Sequence, residues 1–133
     1  MKRTRTALVL GASLAVLTPV AASTASAAGG PLAGTWSSVD TDGSNQTLYV
    51  MGTGSHAYAM VYVDDAATGA CGGSPAKVTG PGYTFGDDVV MVGALTCTPG
   101  GNPFRTRIAL TYTYDGASDT LSDGFGIVWQ RTS

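Results

Sequence analysis

Turn-forming clusters interrupt this chain at short intervals, and that spacing constrains the fold more than any other feature. They are Asp42-Gly43-Ser44, Gly52-Thr53-Gly54, Cys71-Gly72-Gly73, Gly80-Pro81-Gly82, Pro99-Gly100-Gly101 and Asp115-Gly116. Glycine opens the backbone to positive φ and proline removes an amide donor, so each cluster marks the end of a regular segment. The segments between them are rich in Val, Thr and Tyr. Their apolar residues alternate rather than recur every three or four positions. This is a strand pattern. Eight runs satisfy it: 34–38, 46–51, 56–63, 76–79, 89–96, 105–114, 119–122 and 125–131. Gly29, Gly30 and Pro31 read as a flexible lead-in. Nothing after residue 30 reads as helix, repeat or low-complexity linker.

Residues 1–27 have the composition of a secretory signal. Lys2, Arg3 and Arg5 precede an apolar stretch over 7–20, and Ala25-Ser26-Ala27 supplies the small residues of a cleavage site. The stretch is too short and too rich in alanine for a membrane span, and no later segment reaches the length one needs. Cleavage after Ala27 leaves 28–133, enough for a single domain and too little for two. The expected destination is extracellular, with no membrane attachment after cleavage.

Two cysteines remain, Cys71 and Cys97. An even count in a short exported chain points to one disulfide, worth roughly 3–4 kcal/mol for a loop of this length. It would tie the open end of a hairpin whose tip falls within 80–88. After cleavage Lys77, Arg105, Arg107 and Arg131 face nine acids, every one of them Asp. Nucleic acid and anionic membrane both require clustered cations, so neither is expected as a partner.

Eight short strands in a chain of this size suit a small antiparallel up-and-down barrel, whose closure removes sheet edges. A β-sandwich is the competing architecture. Alternation assigns the faces. Phe125, Ile127, Trp129 and Arg131 share one face of the last run, and Ile108, Leu110, Tyr112 and Tyr114 share one face of the sixth. These are the expected interior. The fifth run is apolar on both faces, as for a strand covered by a loop or by a second copy of the chain, so a homo-oligomer is one expectation.

Gly34-Thr35-Trp36 opens the first run and Trp129-Gln130-Arg131 closes the last. In this placement they resemble the calycin superfamily of lipocalins, avidins and fatty-acid-binding proteins. There Gly-x-Trp lies on the first strand of a barrel and a terminal basic residue packs on the Trp. The resemblance covers about a tenth of the exported chain. It implies closure through Gly34, Trp36 and Arg131, with a cationic head over the indole, and a secreted, bacterial, ligand-binding barrel. Bacterial avidins are similar in size, export and the literal Gly-Thr-Trp. Ser37-Ser38-Val39-Asp40 stands where avidins carry their biotin-binding side chains, so biotin binding is not carried over.

No constellation announces catalysis. His56, the single histidine, shares a face of the third run with Tyr58, Met60 and Tyr62. Alone it cannot build a multi-histidine zinc site, and no nucleophile-elbow motif accompanies it. Asp40-Thr41-Asp42-Gly43-Ser44 has oxygen ligands at alternate positions, making Asp40 and Asp42 weak calcium candidates. A complete EF-hand loop needs a closing Glu, and the chain has no Glu at all. An Asx-bonded turn accounts for the same residues. Asp64-Asp65 and Asp87-Asp88 are adjacent pairs whose carboxylates point to opposite faces of an extended chain, a poor geometry for a shared-proton pair. Asn45-Gln46-Thr47 fits a glycosylation sequon by coincidence of composition. No cofactor is assigned.

Tyr58, Tyr62, Tyr112, Tyr114 and Trp129 form an aromatic set suited to lining a barrel mouth and gripping a small, partly apolar molecule. The leading expectation is therefore a secreted small-ligand-binding barrel. An exported interaction or inhibitor protein acting through loops and self-association is the alternative, and a cyclase- or isomerase-like enzyme the third reading.

Overall fold

A computed structural model of the chain describes residues 29–98 and 105–133. The signal segment read at 1–27 and the turn expected at Pro99-Gly100-Gly101 lie outside the described residues. Eight strands follow one another: β1 (Gly34–Val39), β2 (Asn45–Met51), β3 (Ala57–Asp64), β4 (Ala76–Phe85), β5 (Asp88–Cys97), β6 (Arg105–Asp115), β7 (Thr120–Asp123) and β8 (Val128–Arg131). Each pairs antiparallel with the next, and β8 returns to β1. The result is a closed up-and-down barrel rather than a sandwich.

Strict alternation builds the core. Leu48 and Val50 on β2, Tyr58 and Met60 on β3, Val78 on β4, and Val89, Met91 and Leu95 on β5 all point inward. Tyr112, Leu121, Trp129 and Trp36 complete a single buried cluster. The middle of the barrel is thus filled by side chains, as barrels of eight strands permit. The outer face of β5 carries half-buried Val90 and Val92 and exposed Ala94.

Four local expectations are corrected. The Gly80-Pro81-Gly82 cluster does not end β4; the strand runs through it to Phe85, so the hairpin tip narrows to Gly86 and Asp87. Pro81 pairs with Ala59 but forms no ladder pair with β5, and pairing to β5 resumes only at Gly82 with Met91. Here β4 and β5 come so close that a Cβ on Gly80 or Gly93 would strike the other strand's backbone. The cluster is a bend that curls the wall. One helical turn, α1 (Thr68–Cys71), is present, ended by Gly72 in the left-handed conformation. Phe125 lies outside β8, in the loop after β7, and is 85% exposed. His56 precedes β3 and is exposed.

The lead-in is ordered, contrary to its composition. The Gly30 amide donates to the Gly52 carbonyl at 2.8 Å, and the Trp36 indole Nε1 donates to the Leu32 carbonyl at 3.1 Å. Leu32 is buried. A Cβ at Gly30 would collide with the Gly54 carbonyl and the Tyr58 ring, so only glycine lets the segment lie across this end of the barrel.

The wall is uneven in height. Strands β4 and β5 have ten residues each and β6 has eleven, whereas β7 and β8 have four each. The β7 ladder meets β6 only from Tyr112 to Asp115. On that side the wall is low toward the end that carries the disulfide. Cys71 of α1 and Cys97 of β5 are bonded there, with Cα atoms 5.5 Å apart. We call this the disulfide end and the opposite one, where β1 meets Arg131, the seam end.

Candidate functional site

The low wall creates a recess at the disulfide end. Asp123 terminates β7, and its Oδ1 accepts from the amides of Phe125 at 2.9 Å and Ile127 at 3.0 Å. That Asx-type turn sends the chain back before it has climbed the length of β6. A cavity of about 620 Å³ opens beside it, lined by Asp40, Gln46, Tyr62, Tyr112, Asp123 and Phe125 among others. Its volume falls in the range usual for small-molecule sites.

A relay of hydrogen bonds forms part of the floor. Ser38 donates to the Gln46 carbonyl oxygen at 2.8 Å, and the Gln46 amide donates to the Tyr62 hydroxyl at 3.0 Å. Tyr62 donates onward to Asp64 Oδ2 at 3.4 Å, while Asp64 Oδ1 accepts from the Ala66 amide. Gln46 and Asp64 are both buried polar groups, at 4% and 3% exposure, and these partners offset their desolvation. Trp129 packs against Tyr62 and Tyr112 with centroids 6.0 and 5.7 Å away, and its indole donates to Asp123 Oδ2 at 3.2 Å. Burial pushes the Tyr62 phenol well above its ordinary pKa, and Asp64 and Asp40 add to the shift. Tyr112 is raised in the same way, chiefly by burial. Both stay protonated and able to donate.

The aromatic set is divided between the two ends. Tyr62 and Tyr112 line the recess, with Trp129 buried behind them. Tyr58 and Tyr114 belong to the seam end, where a second cavity of about 400 Å³ also touches His56, Thr84 and Leu32. The Tyr58 hydroxyl is buried there without a hydrogen-bond partner among the described residues. Tyr114 donates to Asp119 Oδ1 at 3.0 Å, and its ring stands edge-on to Trp36. Arg131 completes this end. Its guanidinium lies 4.1 Å from the Trp36 ring centroid, donates to Asp119 through Nε and Nη2, and reaches the Ala33 and Pro31 carbonyls. Gly34, with φ of 147°, lies against the Arg131 side chain and the Ser133 carbonyl, leaving no room for a Cβ.

The calcium candidates are bound into a turn. Gly43 N donates to the Asp40 carbonyl, and Asp40 Oδ1 accepts from Thr41 N. Asp42 accepts from Ser44 N at 2.9 Å and from the Thr68 hydroxyl at 2.8 Å. These bonds hold Asp42 below the usual carboxylate range, the Ser44 amide most of all. The turn is thereby fastened to α1 and stands as one rim of the recess.

Sequence reasoning missed Gln46, Asp64 and Asp123 as site residues. The signal was present for two of them: Gln46 is in phase with inward Leu48 and Val50, and Asp64 with Tyr58, Met60 and Tyr62. A polar residue continuing an apolar inward series marks a barrel's mouth.

No protein-family model, curated protein or solved structure matches this chain.

Proposed function

We propose that the chain is a calycin-like, secreted barrel that binds a small, partly apolar molecule in the recess at its disulfide end. The observation that carries this reading is the recess itself: a cavity of about 620 Å³ where buried Gln46 and Tyr112 meet half-buried Tyr62. Apolar lining supplies affinity and a few fixed polar groups supply orientation, which is the usual composition of a small-molecule site. The filled middle of the barrel limits the ligand to the mouth. Calycin membership is supported by the closed eight-strand topology together with Arg131 on the Trp36 ring. Native mass spectrometry of the protein from its producing culture, followed by amide-shift mapping with a fragment library, tests the reading. A retained molecule or fragments that shift residues 46, 62 and 112 support it; shifts elsewhere, or none, refute it.

Self-association is the second reading, favoured by the outer surface. Tyr49 and Met51 of β2 and Tyr83 and Phe85 of β4 are large exposed apolar residues. Tyr49 and Met51 pair with Val61 and Ala59 of the intervening β3, and Tyr83 pairs with Ala57 on the same face of that strand. Such a strip suits burial against a second copy. Light scattering that gives a monomer mass at millimolar concentration rules this out.

A further inference from the structure

We infer that the cavity at the seam end is a second small-molecule site, separate from the recess and independent of it. It takes a neutral, mostly apolar molecule that presents a hydrogen-bond acceptor, such as a ketone carbonyl, to the Tyr58 hydroxyl. The cavity of about 400 Å³ lies between the lead-in, at Pro31 and Leu32, and the β4–β5 tip, at Gly86 and Asp87. That volume is within the range usual for small-molecule sites. The lining is graded from inside to outside. Leu32, Tyr58 and Val89 are buried, whereas Ser55, His56 and Asp87 are exposed. The ionisable groups His56 and Asp87 therefore stand at the outer edge, and the buried side chains of the lining are apolar but for one hydroxyl.

That hydroxyl is the observation that points to an occupant. Tyr58 is 4% exposed, and its hydroxyl has no hydrogen-bond partner among the described residues. Two other hydroxyls of the lining are engaged: Thr84 donates to the Ser55 carbonyl at 3.0 Å and Tyr114 to Asp119 Oδ1 at 3.0 Å. A buried donor left unpaired costs stability, and a phenylalanine of nearly the same shape would avoid that cost. An acceptor arriving from the cavity gives the hydroxyl a use. Gly30 covers it, since a Cβ there would stand 2.8 Å from the phenolic oxygen. Gly30 directly precedes Pro31 and Leu32 of the lining, so the hydroxyl lies where the lead-in borders the cavity. A ligand reaches it by easing the lead-in at Gly30, whose amide donates to the Gly52 carbonyl. An ion carried to this depth would be desolvated with no charged side chain in the buried part of the lining. An alcohol would bring an O–H that needs an acceptor of its own. A carbonyl accepts from Tyr58 and brings no donor, while its apolar body rests on Leu32 and Val89.

Two probes of nearly equal shape test the assignment: acetophenone, and α-methylstyrene, which has a CH2 in place of the carbonyl oxygen. Each is titrated into the isotope-labelled protein while amide shifts are followed. Acetophenone is expected to shift residues 30, 32, 58 and 89 and to bind there at least about threefold more tightly than α-methylstyrene, the gain of one neutral hydrogen bond. Tyr58→Phe should remove that preference and leave α-methylstyrene binding unchanged, with chemical denaturation confirming that the variant is folded. The comparison in the parent protein decides by itself if Tyr58→Phe does not fold. Equal affinities of the two probes, or a preference that survives in Tyr58→Phe, refute the role given to the hydroxyl. Shifts confined to residues 46, 62 and 112 refute the seam-end site while supporting the recess, and shifts at neither end refute the seam-end site.

Discussion

Replacing Arg131 by Ala removes a single side chain that fastens four things: the Trp36 ring, Asp119, and the carbonyls of Ala33 and Pro31. The guanidinium over a buried indole contributes about 1–2 kcal/mol. Charge-assisted bonds to the two carbonyls contribute about 1.5 kcal/mol each at the low end, fitting a site that water partly reaches. Asp119 is 49% exposed, so that ion pair adds little, below about 1 kcal/mol. These terms overlap because one group makes them all, and the loss for Arg131→Ala is therefore about 3 kcal/mol. In a domain of this size that corresponds to a fall in Tm of roughly 12–20 °C. Urea denaturation followed by tryptophan fluorescence measures it directly, since Trp36 lies under the substituted group. Arg131→Lys keeps a charge near the ring but cannot hold both carbonyls and the carboxylate with one fork, so it should lose about half as much. Asp119→Asn should cost under about 1 kcal/mol. If Arg131→Lys is as stable as the parent, or Asp119→Asn costs as much as Arg131→Ala, the fastening is not what the geometry says it is.

Three further outcomes follow from the same physics. Cys71→Ser with Cys97→Ser should destabilise the fold by roughly 3–4 kcal/mol, and thiol titration of the denatured, unreduced protein should find no free thiol. Tyr58→Phe removes a buried hydroxyl that has no partner among the described residues, so it should leave stability equal or raise it by up to about 1 kcal/mol; a clear loss on chemical denaturation would mean the hydroxyl is satisfied. Acid should weaken the seam. The Arg131 hydrogen bonds hold Asp119 below its ordinary value of 3.8, so their contribution is complete above that pH and is lost as pH falls through the lower folded value. Tm measured from pH 6 downward should drop below about pH 4, and Arg131→Ala should flatten that limb.

The strand sequence was legible because turns carry their own chemistry. Asp42-Gly43 and Asp115-Gly116 each stand at a hairpin tip. Facing was legible too: alternation placed Ile108, Leu110, Tyr112 and Tyr114 inward, and the structure has them so. Height along the barrel was not legible. Tyr58 and Tyr62 share a face, but four residues of strand separate them by about 13 Å, which puts them at opposite mouths. Gly80-Pro81-Gly82 misled for a related reason, since a local signal for a chain break serves here a non-local need, the close approach of β5. The recess depends on β7 being much shorter than β6. That length is set by Asp123 turning the chain back, and an Asp followed by Gly gives no measure of how tall the neighbouring strand will be.

The seam has a consequence for how the barrel is assembled in time. Every hairpin from β1 to β8 joins neighbours in sequence, so each can form early and locally. The last join is different: Arg131 reaches the Ala33 carbonyl across 98 positions, and the β1–β8 ladder contains only two register pairs, Trp36 with Arg131 and Ser37 with Gln130. Loop closure over that distance is the slowest element of the topology. Closure therefore resembles a clasp fastened after the band is woven, with Arg131 added to a short backbone ladder that Thr35 extends to Thr132 and Ser133. The Thr35 amide also donates to the Ser133 carbonyl, so the domain's two ends lie side by side. A short link between them, with a new opening cut at the exposed Gly86–Asp87 tip, would turn the slow clasp into a local hairpin and speed folding without altering the barrel.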